Sequence, residues 1–157
     1  MKIGIISDSH DNLFAVAAAV DAFKERGAEA LIHAGDFVAP FAVKGFLKLD
    51  VPIVAVFGNC DGEHRAISEL LLGVVAGARH ETLGGVKFTI VHALDRLGKG
   101  RRGDVVVCGH THKPDVSGGK PLVINPGECG GWVTGRATAA MLDTETMKAD
   151  IFALEMQ

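Results

Sequence analysis

The stretch Lys2-Ile3-Gly4-Ile5-Ile6-Ser7-Asp8-Ser9-His10 decides the fold, because a short apolar run ends there in two potential metal ligands. The run is too brief for a helix and is closed by polar residues, so it predicts a buried β-strand. Alternate side chains of a strand point to one face, and we therefore expect Asp8 and His10 to point the same way from its carboxyl end. Together they predict a two-ligand clamp for a metal ion.

The same pattern recurs four times downstream. Further apolar runs end at Gly35-Asp36, at Gly58-Asn59-Cys60-Asp61, at His92 and at Gly109-His110-Thr111-His112. In open α/β sheets the ligand site lies outside the carboxyl ends of the strands, so these groups should converge on one crevice. The two aspartates, one asparagine and four histidines of this set are too many ligands for one ion. They predict a site for two.

The first half of the chain alternates strands and helices. Asn12 is a candidate N-cap for a helix whose apolar positions keep helical spacing as far as Phe23, and Gly27 is its stop signal. Further strands are predicted at 30–33 and 51–57, and further helices at 41–49 and 63–72. The order strand, helix, strand predicts right-handed βαβ units with parallel strands.

The second half is rich in strands and has no strong helix signal. A β-hairpin is predicted at 79–83 and 86–91 around Gly84-Gly85, followed by strands at 105–108, 122–124, 138–142 and 148–152. A βαβ half followed by a β-rich half predicts an α/β (α+β) fold in which two sheets pack face to face with helices outside. The 157 residues are expected to form one domain, residues 1–157.

Composition excludes several classes of protein. With 16 Lys and Arg against 19 Asp and Glu, the net charge is −3, which argues against a protein that grips long nucleic acid by neutralising phosphates. No apolar run approaches the ~20 residues of a membrane span, and no secretory leader is evident, so a cytoplasmic protein without membrane contact is expected. The three cysteines have no Cys-x-x-Cys spacing and indicate neither a disulfide framework nor a zinc knuckle.

The ordered motifs resemble those of the calcineurin-like metallophosphoesterase superfamily. The short chain, Gly58-Asn59-Cys60-Asp61 and Asn125-Pro126-Gly127 resemble its small prokaryotic YfcE-like phosphodiesterase branch. The resemblance implies a single metallophosphoesterase domain with a four-layer αββα sandwich of two mixed sheets. Carried over by position, it implies one ion held by Asp8, His10 and His112, a second held by Asn59, His92 and His110, and Asp36 as the bridge.

The resemblance also implies an activity. It indicates a dinuclear-metal phosphodiesterase, in which a metal-bound hydroxide attacks a small diester such as a cyclic or short nucleotide. Paired cations suit this chemistry because they clamp the attacking and leaving oxygens and stabilise the charge on the transferring group. Manganese is the implied activator. A donor set of imidazole nitrogen and carboxylate oxygen also suits Fe, Co, Ni or Zn.

Three departures from the family pattern bear on the chemistry. Among the catalytic candidates Asn59, Cys60 and Asp61, the cysteine stands where many members have a histidine that acts as general acid. A thiol is a poorer proton donor, so we expect modest activity, best on esters with good leaving groups. The second histidine of the family's His-Gly-His is missing after His92, and the residues 99–102 that follow predict a basic loop near the site. Glu128 replaces the branch's usual serine and would repel an anionic substrate if it faces the crevice.

Other residues leave alternatives open. We expect His33 to be structural and His80 to be solvated, whereas His64, near Cys60, is the only spare histidine that offers a replacement for the missing acid. Trp132 is expected either to wall the site or to form a homo-oligomer contact. The rival hypothesis to an enzyme is a non-catalytic metal-binding scaffold of the retromer-subunit type, and a small nuclease is a third, disfavoured by the acidic balance.

Overall fold

In the computed structural model, which describes residues 1–98 and 103–156, eleven strands form two sheets and three α-helices pack beside one of them. The strands are β1 (Lys2–Ile6), β2 (Ala30–His33), β3 (Ile53–Phe57), β4 (Val75–Ala76), β5 (Arg79–Leu83), β6 (Val86–Ile90), β7 (Val105–Val107), β8 (Asp115–Ser117), β9 (Leu122–Asn125), β10 (Thr138–Asp143) and β11 (Lys148–Ala153). The helices are α1 (Leu13–Glu25), α2 (Pro40–Phe46) and α3 (His64–Leu70), with short 3₁₀ helices at Leu47–Leu49 and Leu94–Leu97.

Both sheets are mixed. The first has the strand order β11-β10-β1-β2-β3-β4, with β1 to β4 parallel and the β10-β11 hairpin antiparallel beside β1. The second has the order β5-β6-β7-β9-β8, with β6, β7 and β9 parallel and an antiparallel strand at each edge. The predicted fold class, two mixed sheets with helices outside, is confirmed.

Continuous apolar runs form β1 to β3 because both faces of these strands are buried. In β2, Leu31 points into the cluster between the first sheet and the helices, whereas Ile32 points into the cluster between the two sheets. Ile5 of β1 and Val54 of β3 pair with Ile32 on either side and share its face. The main core therefore lies between the sheets, with a second apolar layer beneath the helices.

Local signals set the bounds of α1. The Asn12 side chain accepts a hydrogen bond from the Ala15 N–H at 3.2 Å, which caps the first turn as predicted. At the other end the Ala28 N–H donates to the Phe23 carbonyl, and Gly27 takes the left-handed conformation (φ +71°) that such a helix stop requires. The Asn12 cap thus sets the point at which the loop that carries Asp8 and His10 passes into α1.

Several details differ from the sequence prediction. The helix predicted at 41–49 becomes a 3₁₀ helix after Phe46, the helix predicted at 63–72 spans His64–Leu70, and the strand predicted at 51–57 begins at Ile53. The edge strands β4 and β8 were not predicted, because each is only two or three residues long and carries no apolar alternation. The C-terminal hairpin returns to the first sheet, where β10 pairs with β1. Within the described ranges, the outer face of the second sheet carries only the 3₁₀ helix Leu94–Leu97 over a small cluster around Val106, so the fourth layer is thin there.

The expected basic loop at 99–102 lies outside the described residues. Among the helices of residues 1–98 and 103–156, none has the length and apolar character needed to cross a membrane.

Candidate metal centre

The loops after five parallel strands meet at one end of the two sheets. Each loop supplies side chains from the predicted ligand set: Asp8 and His10 follow β1, Asp36 follows β2, Asn59 follows β3, His92 follows β6, and His110 and His112 follow β7. Backbone hydrogen bonds join the loops, from Asp8 N to Gly35 O (3.0 Å), from His10 N to Asp36 O (3.1 Å) and from Gly109 N to His92 O (2.9 Å). The crevice expected from the sequence is formed in this way.

The backbone of these loops is unusual. Left-handed φ angles occur at five positions of the predicted ligand set, namely Asp8 (54°), His10 (43°), Asp36 (61°), His110 (68°) and His112 (59°). Residues other than glycine seldom adopt this conformation, which costs of order 1–3 kcal/mol and tends to mark functional sites. The fold therefore holds these side chains in directions that ordinary strand or turn geometry would not give.

The first group of close donors contains Asp8, His10 and His112. Asp8 Oδ1 lies 3.3 Å from His112 Nε2 and 3.8 Å from His10 Nε2, and the two imidazole nitrogens are 3.4 Å apart. The other Asp8 oxygen is satisfied by the Ser7 hydroxyl (2.6 Å) and the His110 N–H (3.0 Å). Asp8 Oδ1 is buried and has no hydrogen-bond partner among the described residues.

An unpaired buried carboxylate oxygen is costly, so it indicates a missing partner. Burial also raises the pKa of Asp8 despite the Ser7 hydrogen bond. A cation between this oxygen and the two imidazole nitrogens would satisfy all three groups at once. The residues present therefore fit a divalent ion.

Asp36 lies between this group and the next. Its Oδ2 is 3.8 Å from His10 Nε2 on one side and 3.4 Å from His92 Nε2 on the other, while Oδ1 accepts from the Cys60 N–H at 2.8 Å. Burial opposes its ionisation, but the hydrogen bonds from His92 and Cys60 outweigh burial and hold the pKa of Asp36 well below its usual range. Asp36 is therefore a carboxylate at neutral pH, placed where one group can serve two neighbours.

His92 is oriented by the protein backbone. Its Nδ1 lies 2.8 Å from the Ala34 carbonyl, an acceptor, so Nδ1 carries the proton. Its Nε2 faces two further oxygens, Asn59 Oδ1 at 3.0 Å and Asp36 Oδ2 at 3.4 Å. Burial disfavours protonation of the ring, but Asp36 outweighs it and raises the pKa of His92. A ring nitrogen and two oxygens aimed at one another form a second set of donors suited to a cation.

His110 lies beside this second set. Its ring centroid is 5.1 Å from that of His92, in an edge-on arrangement. It belongs to none of the three groups of mutually close metal-binding atoms found in residues 1–98 and 103–156. The structure thus places His110 next to the expected second ion, but with a looser contact than Asn59 or His92.

Asp61 has contacts different from those of a reacting group. Its two oxygens accept three backbone hydrogen bonds, from Asp36 N (3.0 Å), Val38 N (2.7 Å) and Gly58 N (2.7 Å). These bonds join the loop after β2 to the loop after β3. The sequence placed Asp61 among the catalytic candidates, but its contacts are those of a positioning residue.

Cys60 is exposed and lies at the centre, where its sulfur is grouped with His10 and Asp36. The Asn59 amide donates to its Sγ at 3.3 Å. Desolvation and the adjacent carboxylate of Asp36 raise the pKa of the Cys60 thiol to about 11, so it keeps its proton at neutral pH. The sequence predicted Cys60 as a weak substitute for the family's general acid, and the structure places its sulfur beside the candidate ligands His10 and Asp36.

Glu128 is fully buried and does not line the open crevice. Its carboxylate accepts from the Thr134 N–H (2.9 Å), the Thr134 hydroxyl (2.8 Å) and the Val133 N–H (3.0 Å), and lies 3.6 Å from His112 Nδ1. Burial raises the pKa of Glu128, but these donors outweigh it and lower the pKa overall. The condition for repulsion of an anionic substrate is therefore not met. The carboxylate instead faces the far side of a candidate ligand.

The remaining histidines belong to none of the donor groups found among the described residues. His33 is fully buried, accepts from the Gly35 N–H at Nδ1 and stacks on Phe37, as expected for a structural residue. His64 stacks on Phe57 with ring centroids 3.9 Å apart. His80 is exposed on β5.

Two supporting contacts were not identified from the sequence. Ser7 donates to Asp8, and the Asn125 amide donates to Gly109 O (3.0 Å) and Thr111 Oγ1 (3.0 Å), which holds the loop that carries His110 and His112. The Asn125-Pro126-Gly127 motif was the available signal for the second contact. Trp132, 66% exposed, donates from Nε1 to the His10 carbonyl at 3.1 Å and so lies beside the centre.

Comparison with known proteins places this geometry in a family. Residues 1–147 match the model of the calcineurin-like phosphoesterase superfamily domain. Phosphodiesterase MJ0936 of Methanocaldococcus jannaschii is 38% identical over 171 residues, which cover 99% of this chain and 100% of that protein.

Solved structures agree. A structure described as a novel archaeal phosphodiesterase has a TM-score of 0.87 at 36% identity, covering 98% of this chain and 100% of its own. YfcE, a phosphoesterase from E. coli, has a TM-score of 0.73 at 26% identity, and the match covers 99% of this chain and 100% of YfcE. Vps29 of Entamoeba histolytica, at 14% identity and a TM-score of 0.68, is similar in fold alone. This chain belongs to the calcineurin-like phosphoesterase superfamily.

Proposed function

We propose that this chain is a metal-dependent phosphodiesterase that hydrolyses small phosphodiesters, and that residues 1–157 act as one domain. The observation that carries the proposal is the buried Asp8 Oδ1, which has no hydrogen-bond partner in the part of the chain that the structure describes and faces the Nε2 atoms of His10 and His112. Membership of the family and a full-length relative named as a phosphodiesterase support the reaction class.

Two ions account for the donor arrangement. Asp8, His10 and His112 would hold one, Asn59, His92 and His110 would hold the other, and Asp36 would serve both. Divalent ions bound there supply positive charge to the phosphate and lower the pKa of a water molecule for attack. The protein's own part is to fix the donors: Ala34 O fixes the tautomer of His92, and Asp61 joins the loops of Asp36 and Asn59.

Manganese is the proposed activator, with Fe, Co, Ni and Zn as alternatives. The donors are imidazole nitrogens with carboxylate and amide oxygens, a mixture that suits first-row transition metals better than Mg or Ca. The metal content of the protein, measured after purification and after exchange, tests this choice.

Proton delivery to the leaving group is proposed to be weak. The Cys60 sulfur is grouped with Asp36 and His10, and a thiol with a pKa of about 11 is a poor acid at neutral pH. The enzyme should therefore favour esters whose leaving groups need little protonation.

A cytoplasmic location is proposed because the spacing of the three cysteines indicates no disulfide framework, which suits a reducing compartment. Assembly into a homo-oligomer stays a prediction. Light scattering on the purified protein tests it.

The deciding experiment is hydrolysis by the protein after chelation and restoration of Mn²⁺. We expect cleavage of bis-p-nitrophenyl phosphate to exceed that of the monoester p-nitrophenyl phosphate, and Asp36→Ala and His110→Ala to abolish turnover. His80→Ala, which changes an exposed histidine on β5, is the matched control. Full activity in Asp36→Ala would refute the site assignment. No cleavage with Mn, Co, Ni or Zn in protein that binds them would favour the scaffold hypothesis.

A further inference from the structure

A cavity of about 260 Å³ adjoins the second donor set. Its lining includes Asn59 and His92 together with His64, Phe57 and Arg96, and the other lining residues are small or aliphatic. Pockets that hold a whole small molecule commonly measure about 300–1,000 Å³, so this volume suits one substituent of a larger ligand. Since Asn59 and His92 belong to the candidate centre, the cavity lies where one arm of a bound phosphodiester would extend.

The charge of this cavity is opposite to that of the chain as a whole. The chain has a net charge of −3, but the cavity wall has one guanidinium, Arg96, and no carboxylate. Arg96 is exposed, and its side chain has no ion pair or hydrogen bond within the described ranges. A free guanidinium stacks on flat rings and donates to phosphate, carbonyl and hydroxyl oxygens, so it favours an electron-rich ligand.

The cavity also has a flat aromatic wall. The His64 imidazole lies parallel to the Phe57 ring, with 3.9 Å between centroids and 13° between planes. Both rings line the cavity, and His64 is exposed to solvent. Ring stacking on such a surface holds a nucleobase with about 1–3 kcal/mol and needs no base-specific hydrogen bond.

We propose that this cavity binds a nucleoside substituent of the substrate, with the base against His64 and the Arg96 guanidinium above the base or its sugar. The inference rests on the proposed phosphodiesterase function and narrows its substrate class from small phosphodiesters to nucleoside phosphodiesters. It gives Arg96 and His64 roles in substrate binding, apart from the metal ligands.

The test compares two esters with the same leaving group, thymidine 5′-monophosphate p-nitrophenyl ester and methyl p-nitrophenyl phosphate. Any effect on protonation of the leaving group cancels in the ratio of their kcat/KM values. We expect the wild type to prefer the thymidine ester by about tenfold or more, mainly through KM. Arg96→Gln and His64→Ala should each lower that preference severalfold. Arg65→Gln removes an arginine beside His64 that pairs with Glu69 outside the cavity, and should keep the wild-type ratio.

The outcomes separate the two proposals. Equal kcat/KM values for both esters in the wild type, or an unchanged ratio in both Arg96→Gln and His64→Ala, would overturn the nucleoside site and leave the phosphodiesterase intact. Cleavage of neither ester would overturn the phosphodiesterase. In that case calorimetry with thymidine 5′-monophosphate and the metal-loaded protein tests whether the cavity binds a nucleoside. Weaker binding to Arg96→Gln but not to Arg65→Gln would support the nucleoside site. Equal binding to the wild type and both variants would refute it.

Discussion

Replacing Glu128 with glutamine should weaken metal binding without removing any proposed ligand. The Glu128 carboxylate lies 3.6 Å from His112 Nδ1, behind the ring whose Nε2 faces Asp8. A carboxylate in this position favours the tautomer with the proton on Nδ1, which leaves Nε2 free to bind an ion. Glutamine keeps the size of the side chain but loses the charge.

The size of the effect follows from the contacts. Glutamine retains one acceptor oxygen for the donors of Thr134, whereas the amide nitrogen cannot accept from the Val133 N–H. Loss of a carboxylate behind a ligating histidine typically lowers metal affinity by about 10- to 100-fold, or about 1.4–2.7 kcal/mol. Glu128→Ala would leave several buried donors unpaired and is a poorer test because the fold itself would suffer.

The assay is calorimetric titration of chelator-stripped protein with Mn²⁺, beside thermal unfolding of the same samples. Thr134→Val is the matched control, because it removes a hydroxyl bond to Glu128 and loosens the same turn but keeps the carboxylate. We expect its metal affinity to stay near that of the wild type. The reasoning fails if Glu128→Gln binds Mn²⁺ as tightly as the wild type, or if Thr134→Val loses as much affinity.

Three further predictions follow from other contacts. Gly58→Ala should lower metal affinity by about tenfold or more, because a Cβ at Gly58 would overlap the Asp36 carboxylate. Gly62→Ala is the control, since the space around Gly62 is open. Equal Mn²⁺ affinities of the two variants in calorimetric titration would contradict this prediction. Burial holds the pKa of His33 well below its ordinary 6.5, so as pH falls below that value the unfolded chain takes up a proton that the folded chain does not. The free energy of unfolding should then fall by up to about 1.4 kcal/mol for each pH unit below that value. Urea unfolding at several pH values measures this dependence, which metal-free His33→Gln should lack. The same pH dependence in His33→Gln would exclude His33 as its source. Restoring Mn²⁺ at about 100 times its Kd should stabilise the fold by about 2.7 kcal/mol and raise Tm by about 5–11 °C; an unchanged Tm would contradict the ion-binding role of the buried Asp8 oxygen.

The parts of the fold predicted from sequence are those with strong local signals. β2 was predicted with its observed ends, and α1 was predicted with its Asn12 cap, since a buried apolar run and a cap are both properties of neighbouring residues. Convergence of the ligand set was predictable as well, because parallel strands bring their carboxyl ends to one edge of the sheet. In contrast, β4 and β8 depend on pairing with a distant strand and have almost no signal of their own.

The candidate site was predicted as a set of residues but not as a set of contacts. Glu128 is a surface-type residue by composition, and only the fold shows that it is buried behind His112. Asp61 belongs to a motif, but its three backbone bonds depend on the meeting of two loops that are 25 residues apart in the chain. The sequence therefore indicated which residues gather at the centre, whereas their division into ligands and supports required the structure.

The strained loops explain why the supports are so numerous. Left-handed backbone at five positions of the ligand set, at about 1–3 kcal/mol each, would relax unless the surroundings held it in place. Asp61 bonds three backbone N–H groups, Asn125 holds the loop after β7, and a side chain at Gly35 would come within 2.9 Å of His92 Nδ1. These contacts lie within the protein itself and hold the loops of the ligand set in their left-handed conformation. A centre built in this way should bind its ions with little rearrangement of the backbone, because the apolar core between the two sheets already offsets the cost of its geometry.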